Sequence, residues 1–158
     1  MKVRVGFGFD VHQLKEGKDL WLGGIKLSHT KGAVGHSDAD VLIHAICDAL
    51  LGAAGMRDIG FHFPDTASEF KGIDSKILLD RVNQLLKKEG YSIGNIDCTL
   101  VLEQPKIIPH IEEMRKTLAS ILNVEVNDIG IKATTNEKMG YVGREEGVCA
   151  YAVALIQK

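Results

Sequence analysis

Three side chains of types that bind divalent metals occur in the first third of the chain. Asp10 and His12 are separated by one residue, and His44 follows on a later segment. One carboxylate and two imidazoles suit zinc. A zinc site closed by four protein ligands is usually structural, whereas three ligands leave a position for a substrate oxygen. The triad therefore indicates an enzyme, although an ordinary hydrogen-bonded aspartate with two histidines would show the same spacing.

Two further segments carry groups that suit phosphate. His36 and Ser37 stand just before a predicted helix, where free backbone N–H groups favour anions. Residues 132–138 combine hydroxyls, a carboxylate and cations, so Glu137 could coordinate magnesium while threonine hydroxyls hold phosphate oxygens. A capping serine, a solvated histidine and a solvated charged loop would look the same, and each signal is weak alone.

The strand that must position two of the candidate ligands opens the chain. Every second residue from Val3 to Phe9 is apolar, which predicts a strand with that face in the core. Asp10 and His12 continue its other face, so their side chains can converge on one place. Residues 21–27, with two central glycines, then predict a hairpin.

The third candidate ligand lies on a predicted helix. A capping box of Ser37 and Asp40 begins this helix, and Gly52 can end it. Asp40, His44 and Asp48 are spaced by four and form a polar stripe beside an apolar one. We expect Asp48 or Asp40 to accept the second ring N–H of His44 and so to fix its tautomer.

Periodicity downstream predicts two more helices, three more strands and two long loops. The helices are 74–89 and 109–123, the strands are 96–102, 129–134 and 148–156, and the loops are 52–73 and 135–147. The pattern predicts an α+β fold with a single mixed β-sheet and helices packed on one face, in one domain of residues 1–158.

Composition bounds the remaining function classes. With 158 residues, 45% of them hydrophobic, the chain can bury one sizeable core. A formal net charge of -2, with scattered cations, gives no footprint for nucleic acid or an acidic membrane. Without a leader or an apolar run of roughly 20 residues, we expect a cytoplasmic protein. Cys47, Cys98 and Cys149 are odd in number and widely spaced, which predicts buried free thiols.

Six segments in this order and at these separations resemble one family, the 2-C-methyl-D-erythritol 2,4-cyclodiphosphate synthases of the non-mevalonate isoprenoid pathway. The segments are GFGFDVH, GHSDADVLIHAICDALLGA, DIGFHFPDT, FKGIDS, QPKIIPHI and KATTNEKMGYVGREEG. They cover nearly the whole chain, and six motifs in register are highly specific. The resemblance implies a homotrimer with active sites between neighbouring subunits.

The resemblance also implies a reaction. The 2-phosphate of 4-diphosphocytidyl-2-C-methyl-D-erythritol 2-phosphate attacks the β-phosphorus, CMP leaves, and 2-C-methyl-D-erythritol 2,4-cyclodiphosphate forms, which makes the enzyme a phosphorus-oxygen lyase. The attacking phosphate is already ionised, so catalysis consists chiefly of positioning and charge neutralisation. Zinc on one phosphate and a second divalent ion across both would offset the repulsion between the anions.

The family motifs assign roles to individual residues by similarity. The implied metal ligands and catalytic residues are Asp10, His12 and His44 for zinc, Glu137 for magnesium or manganese, and His36 and Thr135 for stabilising the transition state. The implied substrate contacts are Asp10, Val11, His12, His36, Ser37, Asp58, Ile59, Gly60, Phe63, Pro64, Asp65, Thr66, Ala67, Leu102, Glu103, Gln104, Pro105, Lys106, Ile107, Ile108, Ala133, Thr134, Thr135, Asn136, Glu137, Tyr141 and Arg144.

The chain departs from the family pattern at two places. Residues 102–106 read LEQPK where the family often has AQAPK, and Ala67 stands where the family often has an aspartate.

Two other hypotheses compete with the synthase. One is a metal-dependent phosphohydrolase in which a zinc-bound water attacks. The other is a cytidine-nucleotide sensor or isoprenoid-binding trimer without catalytic output.

Overall fold

The computed structural model describes residues 1–158 as seven strands and five helices, with short 3-10 turns between them. The strands are β1 (Val3–Glu16), β2 (Leu20–Leu22), β3 (Ile25–Leu27), β4 (Lys31–Val34), β5 (Ser92–Val101), β6 (Ile129–Thr134) and β7 (Gly147–Gln157). The helices are α1 (Val41–Ala54), α2 (Ile59–His62), α3 (Ser75–Lys88), α4 (Ile111–Leu122) and α5 (Gly140–Gly143).

Five of the strands form one mixed sheet in the order β4-β1-β7-β5-β6, and β2 and β3 form a separate hairpin. Within the sheet, only β5 and β6 pair in parallel. The α+β class with one main mixed sheet is therefore confirmed. In the registers, His12 lies opposite Val148, and Val101 pairs with both Cys149 and Thr134. The site-bearing parts of β1 and β6 are thus three strand spacings apart, which is about 14 Å.

Helix α1 carries the centre of the core and packs on β1 and β7. The apolar residues of β1 point away from α1. The prediction that this face of the strand lies in the core is therefore wrong. The side chains of Val5 and Phe7 are 64% and 63% exposed, whereas Gly6 and Gly8 lie buried under the helix. The strand therefore presents an uncovered apolar face on the side of the sheet away from α1.

Close approach of backbone to backbone explains why glycine occupies the helix side of β1. A Cβ atom on Gly8 would lie 1.9 Å from the carbonyl oxygen of Ala45, a distance that no side chain permits. Asp10 and His12 continue the parity of this glycine, because successive strand residues alternate between faces. Both therefore point to the helix side of the sheet, where α1 carries the third candidate ligand.

This packing predicts opposite effects for two glycine-to-alanine substitutions. Gly8→Ala is expected to destabilise the fold by about 3 kcal/mol or more, because the methyl group collides with the backbone of α1. Gly52→Ala is the matched control, since a Cβ there meets no atom closer than 3.9 Å. It should stabilise the exposed helix position by about 0.5 to 1 kcal/mol. Urea denaturation measures both, and a Gly8→Ala protein as stable as the wild type would contradict this packing.

Helix α1 differs from its prediction at both ends. Asp40, not Ser37, is the N-cap, because its carboxylate accepts a backbone hydrogen bond from the first turn. Gly52 lies inside the helix, and Gly55 ends it in the left-handed conformation at φ +75°. A glycine inside a helix costs only about 1 kcal/mol, and burial of Ala53 against β1 carries the helix one turn further.

Most of the later elements agree with their predictions. Strand β6 has the predicted bounds, and α3 begins after its N-cap Asp74. The predicted loop of residues 52–73 contains the end of α1, all of α2 and a 3-10 turn at Ser68–Phe70. Strand β4 was not predicted. All three cysteines are buried and free, as expected. Among the helices, none combines the length and apolar character that crossing a membrane requires.

Candidate metal centre and phosphate pockets

The three candidate metal ligands converge on one point. His12 Nε2 lies 2.9 Å from Asp10 Oδ2 and 3.1 Å from His44 Nδ1, and His44 Nδ1 lies 3.1 Å from the same carboxylate oxygen. Ligand atoms held about 2.1 Å from a tetrahedral ion lie roughly 3.4 Å from one another. An outward adjustment of a few tenths of an ångström would therefore admit a zinc ion, and the donor set of two imidazoles and a carboxylate suits it.

Two elements position the triad. Strand β1 delivers Asp10 and His12 on one face, and α1 places His44 within its first two turns. The fully buried carboxylate of Asp40 fixes the start of α1, because it accepts hydrogen bonds from the backbone N–H groups of Gly23 and Gly24 at 3.0 and 2.7 Å. The β2–β3 hairpin and the helix N-terminus are thus held together by one side chain.

The second ring nitrogen of His12 has a partner that fixes its tautomer. His12 Nδ1 donates to the carbonyl oxygen of Val34 at 2.9 Å, because a carbonyl only accepts. In the neutral ring this leaves the Nε2 lone pair facing the triad centre. Such outer hydrogen bonds orient metal-binding histidines and increase their basicity.

The second ring nitrogen of His44 does not contact Asp40 or Asp48, so that prediction is wrong. The carboxylate of Asp40 instead accepts hydrogen bonds from the backbone of the β2–β3 hairpin. Asp48 Oδ1 accepts the backbone N–H of Ile59 at 2.8 Å. Helical spacing of four places residues on one face but does not fix where a carboxylate turns. The partners of His44 Nε2 are instead two hydroxyl oxygens, on Ser75 at 2.9 Å and on Ser37 at 3.2 Å.

Burial and mutual charge shift the pKa values of the triad. Burial alone would raise the pKa of Asp10, but the interactions of its carboxylate with the His12 and His44 imidazoles together outweigh burial and lower that pKa to about 2. For His12, burial favours the neutral ring, but the hydrogen bond to Asp10, the charge of that carboxylate and the bond to the Val34 carbonyl together outweigh burial and raise the pKa. In the absence of a bound cation, these interactions favour an ionised Asp10 beside a protonated His12.

These shifts set the pH dependence of the metal-free protein and of zinc binding. The stability supplied by Asp10 is present above its ordinary pKa of 3.8 and is lost as the pH falls towards about 2. The stability supplied by protonated His12 is fully present below pH 6.5, the ordinary pKa of histidine. This stability is lost as the pH rises through the raised pKa of His12. Zinc must displace that proton, so zinc affinity should rise about tenfold between roughly pH 5.5 and 6.5. Competition with a chelator at each pH measures the zinc affinity. An affinity that does not change over this pH range would contradict the prediction.

The triad lies in the wall of a cavity of about 410 Å³. The lining residues come from β1, the loop before α1, α1 itself, α2 with the segment that follows it, and the start of α3. They are Asp10, His12, Gly35, His36, Ser37, His44, Ile59, Gly60, Phe63, Asp65, Phe70, Ile73 and Leu78. We call this the metal cavity. His36 Nε2 donates to the carbonyl oxygen of Ala67 at 3.2 Å, which orients the imidazole beside the triad. Gly35, Phe70, Ile73 and Leu78 had not been predicted as site residues.

A second and larger cavity of about 660 Å³ gathers the other group of predicted residues and has no hydrophobic lining. Its lining is Glu103, Gln104, Lys106, Thr135, Glu137, Lys138, Gly143, Arg144 and Glu145. We call this the polar cavity. A shallower pocket of about 110 Å³ beside it is lined by Leu102, Glu103, Pro105, Lys106, Ile107, Ile108, Ala133, Thr134 and Thr135. None of these residues lines the metal cavity.

The loop that carries Glu137 has an unusual backbone. Glu137 and Lys138 both have left-handed φ values, 52° and 59°, which cost energy for residues other than glycine. Two hydrogen bonds hold this conformation: Glu103 accepts from the backbone N–H of Lys138 at 2.7 Å, and Thr135 Oγ1 accepts from that of Glu137 at 3.2 Å. Glu103 lies in the segment 102–106, where the chain differs from the common family sequence. Its side chain thus connects the loop after β5 to the loop after β6, and both loops line the polar cavity.

Several predicted contacts line neither cavity nor the shallow pocket. They are Val11, Asp58, Pro64, Thr66, Ala67, Asn136 and Tyr141. Val11 lies on the uncovered apolar face of β1, and Asp58 caps α2 by accepting from the backbone N–H of Phe61 at 2.9 Å. The structure therefore brings the predicted site together as two separate halves within one chain.

Comparison with known proteins points to one family. The model of the YgbB family matches residues 3–157. The 2-C-methyl-D-erythritol 2,4-cyclodiphosphate synthase of Bacteroides thetaiotaomicron is 63% identical over 158 residues, which is 100% of this chain and 99% of that protein.

Solved structures agree with the sequence comparison. A bifunctional IspDF of Campylobacter jejuni has a TM-score of 0.94 at 37% identity over 98% of this chain, which spans 42% of that longer chain. A 2C-methyl-D-erythritol-2,4-cyclodiphosphate synthase in a form bound to CDP has a TM-score of 0.90 at 34% identity, over 98% of this chain and 100% of that one.

Proposed function

The chain belongs to the YgbB family of 2-C-methyl-D-erythritol 2,4-cyclodiphosphate synthases, and from this premise we propose its reaction, its metals and its assembly. It is a lyase of isoprenoid biosynthesis that converts 4-diphosphocytidyl-2-C-methyl-D-erythritol 2-phosphate to 2-C-methyl-D-erythritol 2,4-cyclodiphosphate and CMP. The observation that carries the proposal is the Asp10, His12 and His44 triangle, set in a cavity wall with His36 and Ser37 beside it.

The chemical step closes a ring between two phosphates of one molecule. An oxygen of the 2-phosphate forms a bond to the β-phosphorus, and the bond from that phosphorus to the oxygen of the CMP leaving group breaks. The departing CMP takes the electron pair, and no proton has to be removed from the ionised nucleophile. The barrier therefore lies in bringing two anions together and in the charge that develops on CMP.

The residues of the chain address both difficulties. A divalent ion bound by the triad would supply positive charge to a phosphate oxygen. His36 lines the same cavity as the triad, and its Nε2–H is already donated to the Ala67 carbonyl. As an imidazolium it would keep its Nδ1–H to donate to a developing phosphoryl oxygen. Thr135 and Lys106 in the polar cavity provide a hydroxyl and a cation for the diphosphate, and Glu137 offers a carboxylate to magnesium or manganese.

Assembly of three chains would unite the two halves. Within one chain the site-bearing parts of β1 and β6 are about 14 Å apart, and one phosphate cannot reach groups on both. The uncovered face of β1 and β7 includes Val5, Phe7, Tyr151 and Val153, which are 64%, 63%, 40% and 44% exposed. An apolar face of this kind marks a protein interface. We infer that neighbouring copies cover it and that each active site combines the metal cavity of one chain with the polar cavity of the next.

The shallow pocket is the proposed site for the cytidine part of the substrate. Its walls include the apolar residues Leu102, Pro105, Ile107 and Ile108, in the loop after β5. A relative of known structure is described in a form bound to CDP. Backbone groups in this loop can recognise the base even where the side chains at positions 102–104 differ from those common in the family.

A phosphorus NMR assay of the reaction products tests the proposed function. The synthase should convert the substrate to a cyclic diphosphate, with an equal amount of CMP. A phosphohydrolase would give inorganic or monoester phosphate, and a sensor would bind CMP in calorimetry without any turnover. Either of the latter results would overturn the proposal.

A cytoplasmic location also stays a prediction, and three buried free thiols agree with a reducing compartment.

A further inference from the structure

We propose that Asp38 and Ser75 form a hydrogen-bond relay that fixes the ring tautomer of His44 and leaves its Nδ1 free to bind a metal. The inference rests on the proposed zinc site. Neither Asp38 nor Ser75 has a role in the reaction described above. Both act as positioning residues, because they reach the metal only through the imidazole.

The direction of the hydrogen bonds follows from counting hydrogens. An ionised carboxylate only accepts, and Asp38 accepts the Ser75 hydroxyl at 2.5 Å and the Ser75 backbone N–H at 3.0 Å. The single hydroxyl hydrogen of Ser75 is therefore committed to Asp38. The 2.9 Å contact between Ser75 Oγ and His44 Nε2 then requires the histidine to donate. A neutral imidazole that carries its proton on Nε2 presents a lone pair on Nδ1, which is the atom that faces Asp10 and His12.

Burial makes this relay difficult to replace with water. Ser75 is fully buried, and His44 is only 6% exposed. The other hydroxyl near His44 Nε2 belongs to Ser37, at 3.2 Å, and its oxygen already accepts the backbone N–H of Ala39. The Ser37 hydrogen has no such commitment, so this residue imposes no tautomer by itself. It remains available for a substrate phosphate.

The relay also connects the ligand to the loops that line the metal cavity. Ser75 is the first residue of α3, and Asp38 lies in the loop before α1. Backbone bonds join the same two segments, from Asp38 N to the Ile73 carbonyl at 3.0 Å and from Gly72 N to the His36 carbonyl at 2.7 Å. The orientation of His44 is thereby coupled to the segment that holds His36.

Zinc affinity, measured by competition with a chromophoric chelator, tests the relay without requiring turnover. Ser75→Ala should bind zinc about 10- to 100-fold more weakly, because His44 Nε2 loses its committed acceptor. Ser37→Ala is the matched control and should change the affinity less than about threefold. Equal affinity of Ser75→Ala and wild type, or a larger loss in Ser37→Ala than in Ser75→Ala, would overturn the relay.

A double-mutant cycle separates the relay from a purely structural role. Asp38→Asn should weaken zinc binding by itself but add little in the Ser75→Ala background, because Asp38 acts through that hydroxyl. Additive losses would contradict this. Nitrogen-15 NMR of the zinc-loaded wild type should show a protonated His44 Nε2, and a proton on Nδ1 would sink the inference. If the product assay shows no cyclic diphosphate while these results hold, the proposed reaction fails and the relay stands.

Discussion

His44→Ala should lose bound zinc and turnover together while the protein keeps its fold and assembly. The imidazole supplies one of three ligands, and two ligands cannot hold a zinc ion with useful affinity. A bound divalent ion stabilises transition-state charge by several kcal/mol, so turnover should fall about 10³-fold or more. The substitution truncates a side chain at the wall of the metal cavity, where water can fill the space.

The matched control for this variant is His29→Ala, which removes an imidazole that lines neither cavity. Elemental analysis gives the zinc content per chain, and product formation gives the turnover. The control should match the wild type in both measurements. Full zinc content and full turnover in His44→Ala would refute the ligand assignment.

Phe7→Glu should convert the proposed trimer to monomers and abolish most of the turnover while zinc binding survives. Phe7 is 63% exposed and packs near Tyr151, with 6.2 Å between ring centroids, on the uncovered apolar face. Three copies around a symmetry axis would bury three carboxylates next to apolar surface, which is strongly unfavourable. Because each active site is proposed to combine two chains, turnover should fall about 10²-fold or more from lost positioning alone.

Ile77→Glu provides the matched control, since Ile77 is a 47% exposed apolar residue on α3, on the helix side of the sheet. Sedimentation velocity should show a trimer for the wild type and the control and a monomer for Phe7→Glu. Chelator competition should give the same zinc affinity for all three proteins. A monomeric wild type, or a trimeric and active Phe7→Glu protein, would rule out the proposed assembly.

The spacing of apolar residues predicted the strands and helices well. It did not predict which surface packs against each apolar face. The alternation in β1 correctly indicated a strand, yet its apolar residues face outward and Gly6 and Gly8 face the helix. An apolar face shows only that something must cover it, and here a partner chain is the proposed cover. The signal that could have corrected the assignment was the pair of glycines, because α1 can approach β1 only where side chains are absent.

The candidate ligands were predictable because two of them share one strand and the third lies on the next helix. Their outer partners were not. Ser75 reaches His44 from 31 positions away, and no local period connects these two residues. The same limit applies to the division into two cavities: the motifs gave the residues, but only the strand order showed that His12 and Thr134 lie on strands separated by two others.

Anomalous diffraction at the zinc edge, from crystals grown with zinc and CDP, locates the ion that Asp10, His12 and His44 are proposed to bind. We expect one anomalous peak about 2.0 to 2.2 Å from Asp10 Oδ2, His12 Nε2 and His44 Nδ1, with a phosphate oxygen of CDP in the fourth position. A peak bound to other residues, or a fourth ligand supplied by the protein, would contradict it.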